Sequence, residues 1–299
     1  MAYLSPVAAA AGDRNYPTQK ALFGRLEELG YREGRNLVVE RRFAEGRLDR
    51  LPMLAAELVA LKPDVLLTVA NEATLVASKA TRTLPIVFVA VSDPVSLGVA
   101  NSLRQPGTNA TGFSDQADEL QIKLLQLLKE AFPSASRVAV LHDPRNTVEA
   151  PMLVNLRRAG AALALNLTVI EFKSPEELTS TFASLKDLSF DVLYVMAGPL
   201  MFSQRERIVA LVNGQKRAAV YPAAEFAEAG GLMSYSTSLA DQFRGAADLI
   251  DKVLKGENPA GLPVAQPTRF ELVLNLRTAK AQGVSFPASV RLRADQNIE

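Results

Sequence analysis

Cysteine and tryptophan are absent from the 299 residues of the chain, and histidine occurs once, at His142. Without cysteine, disulfides, thiol nucleophiles and cysteine-ligated metal sites are excluded. A single histidine also excludes a histidine-cluster metal site, and a Ser-His-Asp triad would depend on His142 alone. The sequence therefore predicts no metal site and no cofactor.

An excess of charge of one sign is also absent. The chain carries 33 basic and 32 acidic residues, for a net charge of +1. This balance gives no electrostatic basis for binding nucleic acid or an anionic membrane surface. No apolar run reaches the roughly 20 residues that a membrane-spanning helix needs. The 48% hydrophobic and 22% charged residues are ordinary for a globular protein.

The length and the order of the elements predict two α/β lobes. A chain of 299 residues is longer than one hydrophobic core usually supports. Short β-rich runs alternate with longer helical patterns, which is typical of parallel sheets built from βαβ units. In the first half, strands are predicted at 2–5, 37–42, 65–70 and 86–91, and helices at about 16–29, 51–61, 73–81 and 95–103.

The second half repeats this plan. Strands are predicted at 138–142, 167–172, 192–196, 219–221, 230–235 and 270–275, and helices through 157–165, from Ser174, through 205–212, at 241–255 and at 276–281, the last of the chain. NLVVE at 36–40 is echoed by NLTVIE at 166–171, and DVL occurs at both 64–66 and 191–193. Two matches in the same order indicate two lobes of one design.

Three extended stretches, near 112–116, 236–238 and 263–266, predict three crossings of the chain between the lobes. Lobe one is then 1–114 with 238–264, and lobe two is 115–237 with 265–299. The predicted fold is an α/β protein of two Rossmann-like lobes with parallel sheets, joined by a three-crossing hinge.

The ends of the predicted strands locate a binding site. In open parallel sheets, ligands bind beyond the carboxyl ends of the strands, where helix N-termini point their N–H groups. If two such sheets face each other, six segments line one cleft: 5–7, 70–74, 91–94, 142–146, 197–200 and 221–226. The candidate ligand-binding residues are Ser5, Asn71, Glu72, Thr74, Ser92, Asp93, His142, Asn146, Gly198, Pro199, Tyr221, Glu225, Phe226 and Tyr235.

Several of these residues have a second interpretation. Asn71 and Thr74 lie where a strand gives way to a helix and can hold a carboxylate, but Asn71 can instead simply cap the helix. Asp93 can offer a carboxylate to a ligand ammonium, although Asp before Pro is also a turn signal. For Glu225 the alternative is a solvated surface charge.

The aromatic candidates and the histidine also have alternatives. Tyr221, Phe226 and Tyr235 can form aromatic walls, and core packing is the alternative for each. His142 is interpreted as a polar cleft or turn residue. The sequence has no Gly-x-Ser-x-Gly elbow, Walker loop or Gly-x-Gly-x-x-Gly motif. An enzyme would have only His142 beside Asp143 and no obvious nucleophile, so the sequence predicts no catalysis.

Seven stretches spread over the chain form a joint pattern. They are ELGYREGRNL (28–37), LPMLAAEL (51–58), PIVF (85–88), SDPV (92–95), RQPGTNATG (104–112), EFAEAGGLMSY (225–235) and QPTRFELV (266–273). Together they resemble the substrate-binding proteins of ABC transporters of the tryptophan/tyrosine-type group, which have the type I periplasmic-binding-protein fold. The resemblance covers essentially the whole chain.

The resemblance implies a periplasmic or otherwise extracytoplasmic receptor, free or lipid-anchored. It would act as a monomer and deliver a small solute, often an amino acid, to a membrane permease. It also implies a trimmed leader, since residues 2–6 read as a strand and not as a signal peptide. Hinge closure would grip the solute through polar groups of both lobes: Asn71, Thr74, Ser92 and Asp93 in lobe one, and Gly198, Tyr221 and Glu225 in lobe two.

One position departs from the family pattern, and it leaves the identity of the solute open. Asn is expected at the end of the strand leading into lobe two, where this sequence has His142 and Asp143. A rim with a histidine, two tyrosines and a phenylalanine suits an aromatic amino acid or aromatic carboxylate. The same fold also serves as the sensor domain of repressors and receptors, an alternative that needs a DNA-binding or membrane-spanning segment.

Overall fold

The structure, a computed structural model, describes residues 1–7, 16–146 and 150–299, with the backbone alone at residues 117 and 118. The chain divides into two units: unit 1 is Met1–Gln116 with Ser238–Thr268, and unit 2 is Ala117–Thr237 with Arg269–Glu299. The two lobe ranges predicted from the sequence stay a prediction. No helix in the described part of the chain has the length and apolarity needed to cross a membrane.

Unit 1 is built on a sheet of five parallel strands. They are β1 (Ala2–Ser5), β2 (Glu40–Phe43), β3 (Leu66–Val69), β4 (Ile86–Val91) and β5 (Ala110–Ser114), in the spatial order β2-β1-β3-β4-β5. The helices of this unit are α1 (Pro17–Glu28), α2 (Leu51–Ala60), α3 (Ala70–Ala80) and, from the later segment, α10 (Leu239–Leu254).

The central strands β3 and β4 of the unit 1 sheet are buried on both faces, which is why they are almost continuously apolar, whereas the edge strand β2 is charged and partly exposed. In β4, Ile86 and Phe88 pack on one face while Val87 and Val89 pack on the other. Strict alternation would place Val91 with Val87, yet Val91 joins the face of Ile86. The pairing of β4 with β5 shifts register between Phe88 and Val91. A bulge therefore reverses the pleat at the carboxyl end of β4.

Unit 2 contains a seven-stranded sheet in the order β12-β11-β10-β9-β8-β6-β7. Its strands are β6 (Arg137–His142), β7 (Asn166–Glu171), β8 (Val192–Val195), β9 (Ala219–Tyr221), β10 (Met233–Thr237), β11 (Phe270–Asn275) and β12 (Gln296–Ile298). Every pairing is parallel except that of β10 with β11. The helices are α4 (Ala117–Ala131), α5 (Ala150–Ala162), α6 (Leu178–Ser184), α7 (Pro199–Ser203), α8 (Arg205–Gly214), α9 (Ala224–Glu228), α11 (Leu276–Gln282) and α12 (Ala288–Arg291).

The predicted α/β class with two parallel-dominated sheets is confirmed, and several element bounds are confirmed to the residue. Other elements were predicted wrongly. Residues 95–103 form turns and not a helix, because the Asp93 carboxylate accepts hydrogen bonds from the amides of Val95 and Ser96 and fixes a turn. The helix predicted from Ser174 begins at Leu178, and the first residues of the strand predicted at 37–42 lie outside β2.

Six helices and strands are absent from the sequence prediction: β5, α4, α7, α9, α12 and β12. The last two follow the helix that was predicted to be the last of the chain. β5 lies where the prediction placed a crossing, because ATGFS contains a glycine that weakens the strand pattern. In the structure this glycine, Gly112, is required: a Cβ there would lie 2.0 Å from the carbonyl oxygen of Phe88 on β4.

Candidate functional site

The topology of each sheet selects one pair of strand ends as the natural ligand position. In unit 1, β1 lies between β2 and β3, so the strand order reverses beside β1. In unit 2, β6 lies between β7 and β8, and the order reverses beside β6. Ligands of open parallel sheets bind at the carboxyl ends of the strands at such switch points. Ser5 and Asn71 flank the switch point of unit 1, and His142 and Gly198 flank that of unit 2.

Ser5, the last residue of β1, is fully buried beside a hydrogen-bonded pair. The Gln19 amide on α1 donates to the Tyr3 hydroxyl over 2.9 Å, and both side chains are buried. Burial raises the pKa of Tyr3, because its effect is larger than the opposing effect of the hydrogen bonds with Gln19 and Ser5. The hydroxyl of Tyr3 is therefore a neutral, fixed part of the sheet, and Ser5 supports it.

Asn71 and Ser92 form a reciprocal pair at the ends of β3 and β4. The Ser92 amide donates to Asn71 Oδ1 over 2.8 Å, and Asn71 Nδ2 donates to Ser92 Oγ over 3.1 Å. Asn71 lies inside the first turn of α3, whose N-cap is Val69 and has no side-chain cap. The alternative that Asn71 caps this helix is therefore wrong. Because the half-buried Ser92 hydroxyl accepts from Asn71, its own proton can be donated in another direction.

The backbone beside this pair is strained. Ala70 has φ +67° and Ala90 has φ +56°, a left-handed conformation that alanine rarely adopts. Ala90 forms the bulge of β4, and its amide donates to Oε1 of the buried Gln242 on α10 over 3.0 Å. Strained residues persist where the surrounding structure over-determines them, often at ligand sites. Two such residues flank Asn71 and Ser92, so this edge of the unit 1 sheet is a candidate ligand site.

The other unit 1 candidates serve mainly local structure. The Thr74 hydroxyl donates to the Ala70 carbonyl over 2.8 Å and lies 2.8 Å from the Thr68 hydroxyl, so it supports the strand-to-helix junction. Glu72 is buried in the first turn of α3, where a negative charge is favourable. Partial burial works to raise the pKa of Asp93, but hydrogen bonds from Ser96 and Val95 outweigh it and lower that pKa. Asp93 thus acts as a turn residue in this structure.

The unit 2 switch point is charged. The side chains of His142, the last residue of β6, and of Asp143 and Asn146 after it are buried, and the backbone turns so that the Asn146 amide donates to the Asp143 carbonyl over 3.0 Å. Burial lowers the pKa of His142, against the opposing effect of Asp143, so the imidazole is neutral near pH 7. The Asp143 carboxylate forms an ion pair with Arg145 at 2.9 Å.

Gly198 and Pro199 connect β8 to α7 at the same switch point. Gly198 is the N-cap of α7 and is half-buried, and Pro199 opens the helix at its first position. Proline is favoured there because the first helical N–H has no partner within the helix. Residues 142–146 and 198–199 therefore lie at adjacent strand ends, as the sequence predicts for a parallel sheet.

Tyr221 and Phe226 lie in the core of unit 2, next to the end of β9. Their rings stack at a centroid distance of 5.4 Å with an interplanar angle of 19°, and neither side chain is exposed. The Tyr221 hydroxyl has no hydrogen-bond partner among the described residues, and neither does the Ser234 hydroxyl. Ser234 pairs with Tyr221 in the register of β9 and β10. Two fully buried hydroxyls without partners are uncommon in a protein interior.

Glu225 and Tyr235 complete the unit 2 candidates. Glu225 is half-buried in the first turn of α9, and burial raises its pKa to about 7, against a smaller opposing effect of Arg205. It is therefore not the fully solvated surface charge of the alternative. The half-buried ring of Tyr235 stacks on Phe270 at 6.3 Å and packs against the hydrophobic cluster on the sheet face opposite Tyr221.

Three residues at these positions were missed by the sequence reasoning. Gln242 lies about 150 residues from Ala90 along the chain, so no local pattern connects them. Gln19 is a polar residue on the buried face of an amphipathic helix, which could have marked it. Arg145 lay inside an inspected segment, and its spacing of two residues from Asp143 was the available signal. Within the described ranges, no group of three or more His, Asp or Glu residues could hold a metal ion.

Two α/β units with parallel sheets, each with polar side chains at its switch point, define a binding protein of the type I periplasmic fold. The model of the ABC transporter substrate binding protein family matches residues 7–298, and the chain belongs to this family. Its members bind a small solute for an ABC transporter, outside the cytoplasm, and are binding proteins and not enzymes.

Relatives extend this finding. A tyrosine-binding protein of Clostridioides difficile is 27% identical over 287 residues, which is 94% of this chain and 81% of that protein. A conserved domain protein from Vibrio cholerae has a crystal structure with TM-score 0.88 and 26% identity, covering 99% of this chain and 98% of that one. An ABC domain from Streptococcus pneumonia, solved in complex with L-Trp, has TM-score 0.86 and 24% identity over 99% and 98% of the two chains.

Proposed function

We propose that the solute is an aromatic amino acid or a related aromatic carboxylate, bound by the strand-end residues of both units and released unchanged to an ABC permease. The observation that carries this proposal is the position of the polar residues at the switch points of both sheets. The tyrosine-binding relative supports an aromatic solute. The protein would act as a monomer, either free or lipid-anchored outside the cytoplasm.

In unit 1, the solute would meet neutral hydrogen-bonding groups. The first turn of α3 has no side-chain cap, so its N–H groups can donate to a solute oxygen. The Ser92 hydroxyl adds a further donor beside it. Asn71 holds Ser92 in place through the reciprocal pair. These groups suit a phenol, carbonyl or carboxylate oxygen.

In unit 2, the solute would meet aromatic and ionisable groups. Glu225 titrates near neutral pH and is half-buried, so a solute ammonium would favour its ionised form. The hydroxyls of Tyr221 and Ser234, which have no partner in the described part of the chain, would gain hydrogen bonds if a solute or water reached them. His142 has no nucleophile assigned beside it, so catalysis is not part of this proposal.

Ligand-dependent thermal unfolding tests the proposal. Tyrosine, tryptophan, phenylalanine and benzoate are each added at millimolar concentration, and a binder raises the melting temperature because it binds the folded state only. At least one aromatic compound is expected to raise it, and mass spectrometry should recover that compound unchanged. If none does, the aromatic assignment is wrong.

Two asparagine variants separate binding from stability. Asn71→Ala breaks the pair with Ser92 and should weaken binding about tenfold or more. Asn109→Ala is the control, because Asn109 precedes β5 at the opposite edge of the same sheet and its amide donates to the carbonyl of Leu84 over 2.7 Å. Both variants lose hydrogen bonds, but only Asn71→Ala should change the affinity.

A further inference from the structure

A buried glutamine on α10 holds the bulge in β4. In the described registers Val89 pairs with β3 and Val91 pairs with β5, and Ala90 falls between them. A bulge leaves the amide of its extra residue out of the ladder, and such an amide needs another acceptor when it is shielded from water. Gln242 Oε1 is this acceptor, at 3.0 Å from the Ala90 nitrogen.

The position of Gln242 on its helix does not by itself call for an amide. Gln242 is 2% exposed, and α10 packs against β4 through an apolar face that includes Phe243 and Ala246. An apolar side chain would be buried there at a lower cost in desolvation. The helix is capped by Ser238, whose hydroxyl accepts from the Asp241 amide. Gln242 is therefore not needed to start α10, and its buried amide links the helix to the bulge.

The bulge decides which way Ser92 faces. A shift of one residue moves every later side chain of a strand to the other face, and Val91 shows this shift because it packs on the same face as Phe88. Beyond the bulge, the Asp115 amide donates to the Val91 carbonyl over 3.0 Å, and the Ser114 hydroxyl donates to the Ser92 carbonyl over 2.9 Å. The direction of the Ser92 side chain therefore follows from the conformation of the bulge.

That conformation is costly for the residue that adopts it. Ala90 has φ +56°, in the left-handed region that a residue with a Cβ disfavours. Without an acceptor for its amide, Ala90 would favour an ordinary extended conformation, and Ser92 would turn away from Asn71. We propose that Gln242 is a positioning residue of the solute site: it keeps Ala90 in the bulged conformation, in which the hydroxyl of Ser92 is presented to the solute.

This inference rests on the proposed function, since Asn71 and Ser92 are the unit 1 side chains expected to hold the solute. It adds a residue that acts through the population of the competent conformation and not through contact with the solute. The apparent affinity falls with the fraction of molecules in that conformation. A glycine in place of Ala90 adopts a positive φ without the penalty of a Cβ, so it should remove the need for Gln242.

The test uses this rescue in affinity measurements on the full chain. Calorimetry gives the affinities for tyrosine, tryptophan, phenylalanine, benzoate and leucine. Gln242→Met keeps the length of the side chain but offers only a weak acceptor, so it should weaken binding of the best solute about tenfold. Ala90→Gly/Gln242→Met should return to within about threefold of the wild type, and Ala90→Gly alone should bind like the wild type.

Hydrogen exchange gives a second readout that needs no solute. The Ser92 amide donates to Asn71 Oδ1, so its exchange rate, followed by NMR, reports whether this pair is formed. In Gln242→Met this amide should exchange about tenfold faster than in the wild type, and adding Ala90→Gly should restore the slow rate. A loss of helix packing alone would not be repaired by a substitution on β4.

Two further variants keep the test interpretable. Gln121→Met is the matched control, because Gln121 is a buried glutamine on α4 whose amide donates to Met152 Sδ over 3.2 Å. It should change neither the affinity nor the exchange of the Ser92 amide. If Gln242→Met does not fold, Ala90→Val supplies the test, because valine disfavours a positive φ and Gln242 stays in place. Ala90→Val should weaken binding about tenfold or more, and an unchanged affinity overturns the inference.

The outcomes separate this inference from the proposed function. If leucine alone binds and its affinity depends on Gln242 with rescue by Ala90→Gly, the aromatic assignment fails and the inference stands. If an aromatic compound binds Gln242→Met as tightly as the wild type, the proposed function stands and the inference is overturned. The inference is also overturned if Ala90→Gly does not restore the affinity, if Gln121→Met has the same effect, or if no compound in the panel binds.

Discussion

The strand ends of the two units differ in chemistry although the sheets share one plan. In unit 1, Asn71 and Ser92 are neutral and bonded to each other, the backbone beside them is strained, and the acids Glu72 and Asp93 lie in a helix turn and a loop turn. In unit 2 the strand ends hold an ion pair, a titrating glutamate and buried hydroxyls without partners among the described residues. Unit 1 therefore offers a preformed pair of hydrogen-bonding groups, and unit 2 adds an ion pair and a carboxyl group that titrates near neutral pH.

This difference suggests a division of roles in recognition. Groups that are already hydrogen-bonded are fixed before a ligand arrives, so they lose little freedom on binding. Charged groups add discrimination between solutes, since an unpaired charge at a buried site is costly. The three predictions that follow test this comparison, from the largest expected effect to the smallest.

Forcing β4 and β5 of unit 1 apart should lower the unfolding free energy of the protein. In Gly112→Ala, the new Cβ would lie 2.0 Å from the Phe88 carbonyl oxygen, so the two strands must separate. We expect a loss of about 3 kcal/mol of unfolding free energy and a melting temperature lower by about 5–10 °C. Thermal unfolding followed by circular dichroism measures the change.

Gly24→Ala is the control for this substitution. Gly24 lies in α1 with no atom within 4 Å of an added Cβ. Alanine favours the helix, so the stability should stay the same or rise by about 0.5–1 kcal/mol. A Gly112→Ala protein as stable as Gly24→Ala would show that β4 and β5 can move apart at this point without cost.

The charge in unit 2 should appear as a pH dependence of stability. The pKa of Glu225 is about 7 in the folded protein, above its ordinary value of 4.5. Between these values the folded state binds more protons than the unfolded state, so Glu225 lowers the stability as the pH rises from about 4.5 to about 7. Glu225→Gln has no carboxyl group to titrate and avoids this loss of stability. Its unfolding free energy should therefore exceed that of the wild type by a margin that grows from about pH 4.5 to about pH 7 and reaches about 2–3 kcal/mol.

Urea unfolding at several pH values across that window measures this difference. Glu228→Gln, at an exposed position on the same short helix, is the control, and it should change the profile far less than Glu225→Gln because the Glu228 charge is a smaller cause of the raised Glu225 pKa than burial. Other acids titrate in both proteins, so the difference between the wild type and Glu225→Gln isolates one carboxyl group. Parallel profiles for these two proteins would mean that Glu225 is an ordinary surface acid.

A pair of buried tyrosines gives the smallest expected change in stability and the most direct comparison of the two units. The hydroxyl of Tyr3 in unit 1 accepts from Gln19, whereas that of Tyr221 in unit 2 has no partner among the described residues. Tyr3→Phe should lower the stability by about 1–2 kcal/mol, because it leaves the buried Gln19 amide without its acceptor. Tyr221→Phe should be neutral or stabilising by up to about 1 kcal/mol.

Denaturant titration of both variants, and of both with the best solute found, completes this test. If the Tyr221 hydroxyl binds the solute, Tyr221→Phe should weaken binding without a loss of stability. Equal destabilisation by the two substitutions would show that the Tyr221 hydroxyl is hydrogen-bonded in solution and that the contrast between the units does not hold there.

Much of the fold could be predicted because its signals are local. Strands such as Ile86–Val91 and Phe270–Asn275 are continuous apolar runs bounded by turn residues, and both were predicted to the residue. The turn at 95–103 was missed because a carboxylate bonded to the backbone overrides a weak helical pattern. For the candidate site, the sequence indicated which strand ends to inspect but not the partner of each side chain.

By itself, the sequence determined the α/β class, the repeated plan and the family, since the periodicity, the strand-end positions and the seven stretches that resemble the family are all local features of the chain. Only the tertiary structure decided that Asn71 bonds to Ser92 and does not cap α3, that Gln242 holds the bulge at Ala90, and that Asp143 orients Arg145. The physical reason is that hydrogen-bond partners and burial depend on which segments the fold brings together, and distance along the chain does not specify them.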